Sequence, residues 1–294
     1  MSEILNSLFE SLEPQVLATG YVFAEGPVWH PSGHLYFSDI RDSKRCRVDT
    51  RTGIVELLAE NTFGANGMTF NSNGELVYCQ MGKRRVAAVS ETQEIVVADS
   101  FDGKKLKAPN DIVPHSDGSL YFTNPGGRIN GDDAEIGYSG VYRIATNGEV
   151  IEVCGGGGVN LPNGLAFSPD ESVLYVSNTR PDPKMNAFDM QTDGTASNQR
   201  VFTEMPLVNS SEKNGVPDGM KIDSAGRVYC TGPGGVWIWE PGGVLIGVME
   251  FPELAVTKNI AWGGDDLRTM FVTGHTSVYS LRTTTPGTPL PVFA

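Results

Sequence analysis

Basic side chains are in short supply. Lysine and arginine number 22 against 35 aspartates and glutamates in 294 residues, a formal net charge of −13. No basic stripe is available to release phosphate counterions, which excludes nucleic acid as a partner class. Long apolar runs are also missing: none approaches the ~18 residues that a membrane-spanning helix needs. The opening segment MSEILNSLFE has neither a basic start nor a continuous apolar stretch, so no secretory signal is expected and the chain is read as cytoplasmic. Cysteine is sparse. Cys46, Cys79, Cys154 and Cys230 make no CxxC pair and no zinc spacing, which predicts reduced thiols. Helical periodicity fades after the first dozen residues, where Leu5, Leu8, Phe9 and Leu12 could share one face of a turn or two.

Glycine, by contrast, is plentiful, and it punctuates a repeat. The segments are EGPVWHPSGHLYFSDI from Glu25, NGMTFNSNGELVYCQM from Asn66, NDIVPHSDGSLYFTNP from Asn110, NGLAFSPDESVLYVSNT from Asn163, DGMKIDSAGRVYCTG from Asp218 and NIAWGGDDLRTMFVTG from Asn259. Each has a polar start, an apolar strand, a turn rich in Gly, Asp and Ser, then a second apolar strand. The starts are 41, 44, 53, 55 and 41 residues apart. Such a period with apolar alternation of two predicts an all-β, six-bladed β-propeller with four-stranded antiparallel blades. A helical solenoid would show a 3.6-residue period instead.

The last repeat supplies only three strands, near 258–263, 269–274 and 277–282. The stretch QVLATGYVF, 15–23, has no repeat of its own. It is expected to be the outer strand of the sixth blade, so that the ring closes on an N-terminal strand and no long edge is left open. Residues 1–294 are thus read as one propeller domain, with 1–14 a short extension and 283–294 a tail; a self-closed ring is a monomer by default.

The second strands end in a column of small residues: Ser38, Cys79, Thr123, Ser177, Cys230 and Thr273. Buried packing accounts for the two cysteines better than redox chemistry does. His30, His34 and His115 fall at hairpin turns and are expected to be exposed. His275 follows the column of the sixth repeat and could approach the channel. The loops 124–140 and 179–186 are long and are expected over the channel mouth, with Arg128 or Arg180 available to a substrate.

The first position of each repeat reads Glu25, Asn66, Asn110, Asn163, Asp218, Asn259. In a propeller these positions surround one axis. One Asn-Gly alone is well explained as a turn. A full column of oxygen donors that includes Glu, a poor turn residue, points to a cation. Proline precedes Asn110, Asn163 and Asp218 and stiffens those entries. Two carboxylates with amide oxygens suit a hard divalent ion, calcium first, with Zn2+, Mn2+, Mg2+ or Fe2+ as alternatives.

The chain resembles the SMP-30/gluconolactonase/LRE family through AEGPVW, KAPNDIVPHSDGSLYFTNP, LPNGLAFSPDE, VPDGMKID and GGVWIWEPGG, over about residues 15 to 283. The gluconolactonase-like subgroup is the most similar, through NGMTFNSNGELVYCQMGKRRV and GGDDLRTMFVT. The resemblance implies a six-bladed propeller with one divalent metal in its channel. It implies Glu25, Asn163 and Asp218 as ligands, and Asn110 as a fourth ligand or a substrate contact. Asp218 would also be the general base. Asn66, Asn110 and Met81 would meet the substrate.

Two departures matter. Met81 stands where subgroup members often carry His, and Ala108 where some animal members carry Arg. Both remove polar contacts, so a lactone less polar than gluconolactone enters consideration. The expected reaction is metal-assisted opening of a lactone by an activated water. The absence of GxSxG argues against an acyl-enzyme. Phosphotriester or fluorophosphate hydrolysis, biosynthetic ring opening or isomerisation, and a non-enzymatic metal-binding propeller are the alternatives.

Overall fold

The computed structural model describes residues 3–90, 93–126, 135–205, 215–252 and 256–294. Six four-stranded antiparallel sheets stand around a central axis. The innermost strands are Ala24–His30, Ala65–Phe70, Ile112–Pro114, Pro162–Phe167, Met220–Ile222 and Thr257–Gly263. These begin within two residues of the six repeat starts. Each later strand of a repeat lies further from the axis in chain order, for example His34–Asp39, Lys44–Asp49 and Val55–Ala59 in the first blade.

The sixth blade is the exception, as the strand count required. Thr257–Gly263, Thr269–Gly274 and Ser277–Arg282 lack an outer partner from their own repeat. Gln15–Thr19 pairs antiparallel with Ser277–Ser280 and completes the sheet. The strand is shorter than the expected 15–23, because the chain turns at Gly20, whose amide bonds the Thr276 carbonyl at 3.0 Å. The segment before it packs as well. Helix Glu3–Ser7 and the following turn bury Leu5, Leu8 and Phe9 against the fifth and sixth blades.

Period-two alternation builds the core. Successive residues of a strand face opposite neighbours, so Tyr121 packs with Leu165 and Phe167 of the fourth blade while Phe122 packs with Val77 and Val86 of the second. Likewise Leu165 faces the third blade and Ala166 the fifth. Six apolar clusters result, one between each pair of adjacent sheets. Each fully buried large side chain contributes roughly 1.5–3 kcal/mol by leaving water.

The two faces of the ring differ. The entries to the inner strands and the turns between second and third strands form one face, the channel mouth. The turns between first and second strands form the other, and the C-terminal segment crosses that face. Its path is pinned by the Ser224 amide to the Pro286 carbonyl at 2.9 Å, the Gly287 amide to Leu267 at 2.9 Å and the Thr288 amide to Ile222 at 3.1 Å. Leu290, Val292 and Phe293 then pack between the first and second blades. This segment is a structural cover rather than a loose tail.

Candidate metal centre

Each inner strand begins where the chain enters from the mouth, so the repeat starts gather at the axis. Glu25, Asn66, Asp218 and Asn259 are buried, at 3%, 3%, 6% and 3% exposure, while Asn110 and Asn163 are half-buried. The backbone at these positions is clasped from the preceding blade. Ser38 Oγ donates to the Asn66 carbonyl at 3.1 Å, Thr123 Oγ1 to Asn163 at 2.7 Å and Ser177 Oγ to Asp218 at 2.7 Å. The small-residue column therefore does more than pack: its hydroxyls fix the hub. Cys79 and Cys230 interrupt it, both buried free thiols whose burial pushes them above the ordinary range. Next to Cys230, Thr231 Oγ1 takes over the clasp and donates to the Lys258 carbonyl at 2.9 Å.

The residue after the hub position must let the next blade approach. It is Gly26, Gly67, Gly164 and Gly219 in four repeats. A Cβ on Gly164 would lie 2.5 Å from the Asp218 carbonyl oxygen, and one on Gly219 would lie 2.1 Å from Asn259 Cγ. In the third repeat this slot holds Asp111 instead, buried at 2% exposure. Its Oδ2 accepts from Asn259 Nδ2 at 3.1 Å, across the channel. The residue before the hub position is Ala24, Ala65, Pro109, Pro162 or Pro217 in five repeats, but Lys258 in the sixth. The buried Lys258 Nζ lies 3.5 Å from Asp218 Oδ2.

Sequence reasoning missed both Asp111 and Lys258. The signal was available as a charge in a slot that is Gly in four of the other five repeats and Ile260 in the sixth, or in one that is otherwise Ala or Pro.

Electrostatics at the hub are strained. Burial pushes the Asp218 carboxyl from 3.8 up to about 6, against the pull of the Lys258 ammonium. Burial, then the Asp218 charge, hold Glu25 well above the carboxylate range, although the Gly26 amide donates to its Oε2 at 2.8 Å. Asp111 adds to the repulsion on both. Burial and mutual repulsion make both charges costly, and a cation at the hub would relieve both. The Asn163 side chain lies against Asp218 and opposes the rise, and its Nδ2 also reaches Thr179 Oγ1 at 3.3 Å. Among the described residues no three His, Cys, Asp or Glu side chains form a metal cluster by themselves. The donor set is mixed, carboxylates with amide oxygens, which fits a hard cation and not a soft one.

The remaining expected site residues are accounted for as follows. The Asn110 carbonyl accepts from the Gly67 amide at 2.9 Å, and the Asn110 side chain has no hydrogen bond to a described residue. Met81 opens the short turn Met81–Lys83 at the mouth, and Asn66 Nδ2 points to its sulfur at 3.5 Å. Ala108 is fully buried, its amide held by Asn124 Oδ1.

Arg180 is exposed, and Arg128 lies outside the described residues. The loop expected over 179–186 is shorter, because Lys184–Met190 is strand. The turn histidines are not the free surface groups expected. His30 stacks among Tyr36, Phe70 and Phe293, and His115 packs on Tyr121 and Phe167. His275 does reach the mouth, 4.8 Å from Phe23 between ring centroids. Burial, then Lys258 and Arg41, hold its imidazole below the ordinary range.

A hub of this kind at this place in a six-bladed ring invites comparison with known proteins. The sequence profile of the SMP-30/Gluconolactonase/LRE-like region matches residues 23–276. The chain belongs to this family. Within it, the chain is 31% identical to a gluconolactonase of Zymomonas mobilis over 93% of its own length and 82% of that protein. It is 30% identical to a pentonolactonase of Haloferax volcanii, covering 88% and 84% of the two chains. A solved gluconolactonase structure from Xanthomonas campestris superposes with a TM-score of 0.85 at 26% identity, covering 96% and 93%. Among the described residues no helix is long and apolar enough to cross a membrane.

Proposed function

We propose that this SMP-30/gluconolactonase-family propeller is a metal-dependent lactonase that opens a sugar lactone by attack of water. The observation that carries the reading is the convergence of Glu25 and Asp218 in a buried hub, with Asn163 against Asp218 and both carboxyls pushed upward. Glu25, Asn163 and Asp218 are the residues that hold the cation. The Asn110 side chain, without a hydrogen bond among the described residues, is a fourth ligand or a contact to the substrate. Calcium is the first choice for this oxygen set. When bound, the cation supplies Lewis-acid polarisation of a carbonyl and offsets the hub's negative charge.

Asp218 is the general base: it takes the proton of the attacking water on a carboxylate oxygen, and Lys258 steadies that carboxylate. The inter-blade clasps and the glycine slot keep these groups in place without rearrangement during the reaction. Asn66 and Met81 border the substrate. The neighbouring lactonases support a lactone as the substrate class. The protein acts as one cytoplasmic propeller domain.

The test is a proton-release assay on glucono-1,5-lactone, a pentonolactone and a phosphotriester, before and after chelation, with elemental analysis of the purified protein. Lactone turnover lost on chelation and restored by one divalent ion per chain is the expected result. Turnover that survives complete removal of metal would defeat the assignment, and turnover of the phosphotriester alone would redirect it.

A further inference from the structure

Between the sixth and first blades, at the mouth, cations collect around one aromatic ring. Arg41 Cζ lies 4.9 Å from the Phe23 centroid and Lys258 Nζ 5.1 Å from it. His275 stacks on the same ring at 4.8 Å. Contacts of this kind are worth roughly 0.5–1 kcal/mol each at exposed sites, too little to account for the grouping by themselves.

The nearby carboxylates neutralise only part of the group. Asp39 is committed to the Val22 and Phe23 amides, both at 2.9 Å, which is what holds Phe23 in place. Asp42 pairs with Lys44. Asp218 meets Lys258 only at 3.5 Å and belongs to the hub. Among the described residues Arg41 has no carboxylate partner. In a chain of net charge −13, such an exposed guanidinium beside the reaction centre, next to a lysine shared with Asp218, calls for an anion from outside.

We propose that Arg41, Lys258 and His275 form a recognition site for an anionic substituent, a phosphate or a carboxylate, carried by the lactone at a distance from its ring carbonyl. This rests on the lactonase reading and sharpens its substrate class. Lys258 bridges the two sites, touching Asp218 on one side and Phe23 on the other. Arg41 is exposed and can present its guanidinium fork to two oxygens of the anion.

The experiment compares kcat/KM for glucono-1,5-lactone, its 6-phosphate and a lactone with a terminal carboxylate, in the metal-loaded protein and its Arg41→Gln and Arg41→Lys variants. The wild type is expected to favour at least one charged lactone about tenfold or more, and which one is favoured separates phosphate from carboxylate. Arg41→Gln is expected to cut the charged-to-neutral ratio about fivefold, while Arg41→Lys keeps most of it. Equal turnover of neutral and charged lactones, or a ratio unmoved by Arg41→Gln, would overturn the proposal.

If no lactone is hydrolysed, the lactonase reading fails by itself, and the anion site is judged by calorimetric binding of 6-phosphogluconate. Affinity weakened about fivefold by Arg41→Gln upholds the site, and unchanged affinity removes it.

Discussion

At the mouth, the inner strands start in Glu25, Asn66, Asn110, Asn163, Asp218 and Asn259. Further along, the same strands carry Val28, Trp29, Met68, Ala261 and Trp262, and the C-terminal Leu290 and Phe293 close over them around a cavity of about 300 Å3. One end gathers oxygen donors at a cost in desolvation and repulsion. The other is apolar, yet Trp29 and Trp262 each bury an indole N–H with no partner among the described residues. The difference teaches that the ring's stability and its chemistry are separated along the axis. Losing a side chain at the far end should be felt as stability, and losing one at the mouth as function.

The sharpest test of that separation is Asp218→Asn or Glu25→Gln. On the proposed reading, in which Asp218 is the base and both carboxylates hold the cation, turnover should fall by about 10^3-fold or more. Bound metal should drop in parallel by elemental analysis, while urea unfolding of the metal-free protein is no weaker than wild type. Trp262→Ala is the mirror image. It should cost about 3–5 kcal/mol in urea unfolding, with kcat/KM of the folded fraction within about threefold of wild type. A large loss of kcat/KM there would break the comparison.

A smaller effect comes from pH. The folded Asp218 carboxyl sits at about 6 against 3.8 when unfolded, so the folded state holds its proton more tightly. The stabilisation is fully present below about pH 4 and is lost as pH rises through about 6. The metal-free protein should therefore lose about 2–3 kcal/mol across that window, and saturating calcium should abolish the slope. A slope that persists unchanged with calcium would place the strain elsewhere. The smallest effect is expected for Cys79→Ser. A hydroxyl at that place in the column can imitate the clasps made by Ser38 and Thr123, so stability should shift by less than about 1 kcal/mol.

The fold was legible because its rule is local. Each repeat shows its strands by alternation and its turns by Gly, Asp and Ser, and the missing fourth strand of the last repeat pointed to residues 15–23. The hub column was legible for the same reason, since equal positions in a ring must meet. Asp111 and Lys258 were not, although they stand one residue from the column. A repeat-based reading seeks sameness, and these two matter because they differ from their counterparts. The packing of His30 and His115 onto aromatic neighbours, and the cover formed by the C-terminal segment, depend on contacts between blades that no single repeat contains. The length of the strand at 15–19 was set by Gly20, where the chain leaves the sheet to bring Phe23 and Glu25 to the axis.

That N-terminal strand has a consequence for biosynthesis. Gln15–Thr19 precedes every blade in the chain, yet its partner Ser277–Ser280 lies in the last repeat. While the intervening blades are synthesised the early strand waits unpaired, and the growing blades curve around an opening. The ring therefore locks only when the last repeat meets the strand that precedes the first, and the contact that closes it is the one of greatest separation along the chain.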